Sequence, residues 1–76
     1  MTYCYTAVKE KHQCQSIGDY VAYGIRVTAK ENGGEREVMY VPDVSEDEEL
    51  VERLAMLCTA EELDPIHLPD VIEDSI

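Results

Sequence analysis

The chain has 76 residues, 45% of them hydrophobic and 30% charged, with a formal net charge of −11 at pH 7. That length allows a single domain, residues 1–76, and leaves little room for a deep pocket. No apolar run approaches the roughly 20 residues of a membrane helix, so we expect no membrane insertion. A chain with this negative charge repels nucleic-acid phosphates, so we expect no direct nucleic-acid binding.

The first strand that the sequence predicts is followed by a polar loop. Residues 2–8 are rich in tyrosine, threonine and valine, which favour strands. The apolar side chains on one face of this strand are Tyr3, Tyr5 and Ala7. Residues 9–16 are polar and show no clear period, so we assign them to a loop that closes at Gly18 and Asp19.

The second predicted strand has the clearest alternation in the chain. In residues 20–29, apolar side chains from Val21 to Ala29 alternate with a more mixed set, which is typical of a half-buried antiparallel strand. Gly24 interrupts this strand, and glycine weakens a strand interior. It indicates either a bulge or the close approach of a neighbouring side chain.

A hairpin turn follows at Asn32, Gly33 and Gly34. Asn-Gly accepts the positive φ angles that a type I′ turn requires. The sequence therefore predicts a meander in which a third strand, residues 36–41, returns antiparallel to the second. Pro42 lacks an N–H group and is expected to end that strand.

The length of this turn decides which side chains of the third strand are buried. A two-residue loop would place Val38 opposite Val27 on the core face. A three-residue loop would instead bring Met39 and Val41 to that face. Both registers stay open, because a shift of one residue exchanges the two faces of the strand.

The negative charge lies entirely in the second half of the chain. Residues 1–42 hold five acidic and five basic residues, whereas residues 43–76 hold twelve acidic residues and one basic residue, Arg53. So one-sided a charge either keeps a helical face soluble or forms a surface that docks on a basic partner. The sequence leaves both interpretations open.

A helix is predicted for residues 46–60. Ser45 and Glu48 fit a capping box, in which each side chain accepts from the backbone N–H of the other residue. Glu49 and Arg53 are spaced to form an ion pair. The apolar residues that recur at helical spacing and should face the core are Leu50, Val51, Leu54, Leu57 and Cys58.

A shorter helix closes the chain. Asp64 and Pro65 interrupt the first helical pattern, and Leu68, Val71 and Ile72 then recur at helical spacing, which predicts a helix over residues 68–75. The expected fold class is α+β. A three-stranded antiparallel sheet is followed by one amphipathic helix and a short C-terminal helix, and both helices should cover one sheet face.

Cysteine usage and the N-terminus bear on the compartment. An odd number of cysteines with uneven spacing argues against a disulfide framework. Residues 1–5 show no basic region followed by an apolar run, so we expect no secretory signal. The sequence therefore predicts a cytoplasmic protein with free thiols.

The residues that could carry chemistry do not match a catalytic or metal-binding motif. His12 and Cys14, with Cys4 on the first strand, lack the paired spacing of a zinc site, so we expect no metal and no other cofactor. Cys58 and His67 could form a catalytic pair only if the thiol were activated, whereas Cys58 is expected in the core. We therefore predict no catalytic residues and no enzyme activity.

The C-terminal segment carries a resemblance to a known family. Residues 63–74, residues 23–25 and residues 41–45 together resemble a family of short proteins from Gram-positive gut and soil bacteria, known only as a domain of unknown function. The resemblance covers about residues 20–75 and is most specific at Pro65-x-His67-Leu68 with the following Asp70-Val71. It implies a bacterial cytosolic origin and assigns no activity.

Together these features favour a small acidic binding or regulatory module that acts through contact with another protein. The candidate partner-binding residues are Glu48, Glu49, Glu52, His67 and Asp70. His67 and Asp70 can equally be residues that fix the turn between the helices. A homodimer is one form of such a module, because the second sheet face carries Tyr20, Ala22 and Thr28.

Other function classes are consistent with the same residues. The acids of the first helix could stand in for phosphates, as in a phage-derived inhibitor of a DNA- or RNA-processing enzyme. A small metal-binding protein or enzyme is the third class.

Overall fold

The computed structural model describes residues 2–75, and for Cys14 only its place in a strand. The elements in chain order are β1 (Thr2–Cys14), β2 (Gly18–Glu31), β3 (Gly34–Ser45), α1 (Glu48–Ala60), a 3₁₀ turn (Pro65–His67) and α2 (Leu68–Ser75). The sheet order is β1-β2-β3 with both pairs antiparallel. The predicted α+β class, the three-stranded meander and the two helices are confirmed.

β1 continues through the segment that was predicted to be a loop. It pairs with β2 from Thr2 opposite Lys30 to Cys14 opposite Gly18. The loop prediction for residues 9–16 is wrong for the part up to Cys14. Backbone hydrogen bonds to β2 hold this part extended, and such bonds need no hydrophobic period in the side chains.

The β2–β3 turn has the predicted length but not the predicted type. Glu31 pairs with Gly34, so the loop is Asn32-Gly33. Within this loop φ is positive at Gly33 (+88°) but not at Asn32. Because a type I′ turn needs positive φ at both positions, that prediction is wrong.

A bulge at Val38 then decides the register. Thr28 pairs with Glu37, but Val27 pairs with Met39, so the register shifts at Val38. The loop thus has two residues, but the side chains that face the core are Met39 and Val41, which were expected for a three-residue loop. An extra residue in one strand reverses the parity of every residue after it, which is why the turn alone could not predict the buried face.

β3 also passes beyond Pro42. Ile25 pairs with Val41 and Tyr23 pairs with Ser45, which leaves an irregular stretch opposite Gly24 where Asp43 has a φ of 52°. The prediction that Pro42 ends the strand is wrong, because proline is tolerated where a bulge removes the need for a ladder hydrogen bond.

The core lies between one face of the sheet and the helices. Its buried members are Tyr5, Ile25, Val27, Val44, Val51, Leu54, Ala55, Cys58 and Leu68. Cys58 is 3% exposed, as predicted. Leu57, which was predicted to face the core, is 55% exposed. At about 100° per residue it lies to one side of the buried face that Val51 and Ala55 define.

The start of α1 differs from the predicted capping box. Asp47 is the N-cap, and its side chain accepts from Leu50 N at 3.2 Å, while Ser45 Oγ accepts from Asp47 N at 3.1 Å. Pairing with Tyr23 keeps Ser45 in β3, so the helix begins at Glu48 instead of residue 46. α2 has the predicted bounds.

Candidate functional site

The sheet face away from the core carries a network of polar side chains, here called the Glu10 network: Glu10, His12, Tyr20, Tyr40 and Asp43. The Glu10 carboxylate accepts from the Tyr40 hydroxyl, from Asp43 N at 2.9 Å and from His12 Nε2 at 3.0 Å. The His12 ring stacks on Tyr20, with centroids 5.0 Å apart, and the Tyr20 hydroxyl donates to Asp43 Oδ2 at 3.3 Å. One carboxylate on β1 therefore contacts two residues of β3.

Gly24 allows this contact to cross the central strand. A Cβ at Gly24 would lie 2.7 Å from Val41 O and 3.0 Å from Glu10 Oε2. Any larger residue would displace the carboxylate or the β3 backbone. Both features that the sequence indicated for Gly24, a bulge opposite it and the close approach of a side chain, are present.

The pKa shifts of Glu10 and Tyr40 fit a structural role for the network better than a role in proton transfer. Burial alone would raise the pKa of Glu10, but hydrogen bonds from Tyr40, Asp43 and His12 outweigh it and hold that pKa below its ordinary value. The hydrogen bond to Glu10, aided by burial, raises the pKa of Tyr40 to about 12. Such a carboxylate is a weak base and such a phenol a weak acid, so the pair is poorly matched to proton transfer near neutral pH.

Sequence reasoning missed this network. It placed His12 in a polar loop and read Glu10 as part of a neutral segment. The one available signal was Gly24, because a glycine in the middle of the best strand indicated a close approach without naming its partner.

The predicted partner-binding residues are all exposed. Glu48, Glu49 and Glu52 lie in the first half of α1, while His67 ends the 3₁₀ turn and Asp70 lies in the first turn of α2. Hydrogen bonding to Glu48, burial and the charges of Glu48 and Glu52 together raise the pKa of Tyr23. Glu49 and Glu52 have no such recorded bond.

The helical half carries its charge without internal compensation. The ion pairs recorded among residues 2–75 are Glu10–His12, Arg26–Glu37 and Glu31–Arg36, all within the sheet. The predicted Glu49–Arg53 pair does not form. The exposed carboxylates that follow β3, here called the acidic helical surface, are Glu46, Asp47, Glu48, Glu49, Glu52, Glu61, Glu62, Asp64, Asp70, Glu73 and Asp74.

A small apolar groove opens between the two helices within this surface. This α1–α2 groove has a volume of about 180 Å³ and is lined by Leu57, Cys58, Glu61, Leu63 and Val71. The Leu63 carbonyl accepts from the buried Tyr5 hydroxyl, which holds one wall of the groove against the core. Sequence reasoning missed the groove because it assigned Leu57 to the core.

Cys58 and His67, the pair considered for catalysis, lie in different surroundings. Cys58 is buried, and burial together with the charge of Glu61 raises its pKa, whereas a reactive thiol needs a lowered one. His67 is exposed. Within the part of the chain whose side chains are described, no three potential ligands gather into a metal site; the side chain of Cys14 lies outside that part.

Two comparisons give no match, and a third gives the family. Neither a curated protein nor a solved structure matches this chain. No helix formed by residues 2–75 is long and apolar enough to cross a membrane. A family model does match, and it covers residues 1–76, so the extent of residues 20–75 given by the resemblance is too short. The chain belongs to the family of unknown function DUF6514.

Proposed function

We propose that the protein is a small binding module that acts by contact with a basic protein partner and not by catalysis. The observation that carries this proposal is the uncompensated charge of the helices. Residues 43–75 contain twelve carboxylates and one arginine, and none of them takes part in the ion pairs recorded for residues 2–75. Carboxylates that no internal cation neutralises attract a basic surface and speed its association.

The proposed contact residues are Glu48, Glu49, Glu52, His67 and Asp70. All of them are exposed, so a partner reaches them without any rearrangement of the fold.

The proposal places this module in the bacterial cytoplasm. Cys4 and Cys58 are free thiols, which suits a reducing compartment. The bacterial origin is implied by the resemblance of residues 23–25, 41–45 and 63–74 to the family of short bacterial proteins.

The test compares two variants with the same change in net charge. The first is Glu48→Gln/Glu49→Gln/Glu52→Gln, and the control, in the neutral half, is Asp19→Asn/Glu31→Gln/Glu35→Gln. A partner captured by the wild-type protein from its native cytosol should be identified, purified and titrated against both variants at low and high salt. We expect the helical variant to bind about tenfold more weakly, a loss of about 1.4 kcal/mol, and the control to bind nearly as well as wild type.

Two outcomes contradict the proposal. If both variants lose affinity equally, the interaction is a response to net charge and has no specific surface. If no partner is captured at low salt, where electrostatic attraction is strongest, a charge-based contact is excluded.

A further inference from the structure

Leu57 and Val71 form an apolar groove in the most acidic part of the molecule. Leu57 is 55% exposed, and Val71 and Leu63 are partly exposed beside it. The groove volume of about 180 Å³ is below the range of about 300–1,000 Å³ that is usual for small-molecule sites. It suits one or two inserted aliphatic side chains better than a free metabolite.

The rim of this groove is negatively charged. Glu61 lines it directly. Asp74 lies three residues after Val71, on the same side of α2. From Thr59 to Ser75 the chain holds six carboxylates and no lysine or arginine, and all six are exposed. Apolar residues that are exposed within a polar rim commonly mark an interaction site.

The charge also restricts what can occupy the groove. A second copy of this chain would bring its own acidic surface against the rim, and an anionic lipid surface would be repelled in the same way. Lysine or arginine residues on either side of an apolar anchor would instead pair with carboxylates that have no cation of their own.

We propose that the α1–α2 groove is the docking site for the apolar face of a basic amphipathic helix of the partner protein. This inference rests on the proposed function and names the class of partner. A helix is the expected form, because the two walls of the groove are helices whose backbone groups are already bonded and give no edge to which a strand could add.

The test uses synthetic peptides in place of the unidentified partner. The probe peptide is helix-forming, with leucines at positions i, i+3, i+4 and i+7 and lysines elsewhere. A second peptide has the same composition in scrambled order, so it keeps the charge and loses the apolar face. We expect the patterned peptide to bind wild-type protein about tenfold more tightly than the scrambled one, as measured by fluorescence anisotropy at physiological salt.

Matched variants place the binding in the groove. Leu57→Ser should remove the preference for the patterned peptide. Met56→Ser, at a residue 72% exposed and outside the groove lining, should keep it. Glu61→Lys is a second groove variant, and its exposed position means that the test does not depend on how well Leu57→Ser folds. It should weaken the binding of the patterned peptide more than the binding of the scrambled peptide.

Equal binding of both peptides would overturn the groove as a docking site. It would leave the proposed function in place, because that function is tested by the Glu48/Glu49/Glu52 variant and its own partner. A dimer in solution that Leu57→Ser converts to a monomer would also overturn the inference, since it would identify a second copy as the occupant.

Discussion

Glu10 links the two outer strands through a single carboxylate. It belongs to β1, and two of its hydrogen-bond donors, Tyr40 and the Asp43 N–H, belong to β3. With 13% of its side chain exposed, Glu10 is buried enough for these charge-assisted hydrogen bonds to matter. The network therefore stabilises the irregular stretch of β3 in which Asp43 adopts an unfavourable positive φ.

Replacing Gly24 should disrupt this link. In Gly24→Ala the new methyl group would lie 2.7 Å from Val41 O, and backbone cannot give way cheaply. We expect a loss of about 1–3 kcal/mol in the free energy of unfolding, measured by urea denaturation. Gly34→Ala is the matched control, because a Cβ there meets no atom within 4 Å. Equal losses in both variants would show that the crowding at Gly24 does not explain the effect.

The Glu10 carboxyl should also contribute to the pH dependence of stability. Its pKa is lowered in the folded state from an ordinary value of 4.5, so its contribution is present above that value and is lost as the pH falls through the folded pKa. Glu10→Gln should therefore cost about 1–3 kcal/mol at pH 7, and this difference should shrink as the pH falls below about 4. A difference that stays constant with pH would mean that the charge of Glu10 does not matter. Unfolding midpoints measured across this pH range decide the point.

Among the elements, those with a strong local pattern could be predicted and those set by pairing could not. α2 has the predicted bounds because Leu68, Val71 and Ile72 repeat at helical spacing and Pro65 marks where the chain turns. The bulge at Val38 leaves no local signal, because any strand residue can occupy it. The start of α1 at Glu48, two residues later than predicted, also left no local signal, because it depends on how far β3 continues to pair.

One side chain joins the helical layer to the free edge of β1. Thr59 Oγ1 accepts from Tyr5 N at 2.9 Å and donates to Ala55 O, also at 2.9 Å. Thr59 thereby satisfies a backbone N–H that β2, on the other side of β1, cannot reach.

Thr59→Val keeps the shape of this side chain and removes its acceptor. We expect a loss of about 1–3 kcal/mol in stability, because the Tyr5 N–H would remain without a partner next to the core. Hydrogen exchange at the Tyr5 amide should become faster. Thr59→Ser keeps the hydroxyl and should preserve the slow exchange of that amide. Unchanged exchange in Thr59→Val would contradict the assigned hydrogen bond.

At the scale of the whole molecule, the separation of charge was visible in the sequence, whereas the sites within it were not. Counting carboxylates after Pro42 was enough to predict the acidic helical surface. The Glu10 network and the α1–α2 groove needed the three-dimensional structure. Both join residues far apart in the chain, such as Glu10 with Tyr40 and Leu57 with Val71.

The charge of the acidic helical surface should make the protein more stable at higher salt concentration. The acidic helical surface repels itself, while the Arg26–Glu37 and Glu31–Arg36 ion pairs of the sheet are exposed and contribute little, so screening should remove more repulsion than attraction. We expect the free energy of unfolding to rise by about 1 kcal/mol between about 0.01 M and 0.1 M sodium chloride, as the Debye length falls from about 30 to 10 Å. The Glu48→Gln/Glu49→Gln/Glu52→Gln variant should show a smaller rise. If salt instead lowers the stability of the wild-type protein, the sheet ion pairs outweigh the helical repulsion, and the acidic helical surface is not under the electrostatic strain that the proposed binding would relieve.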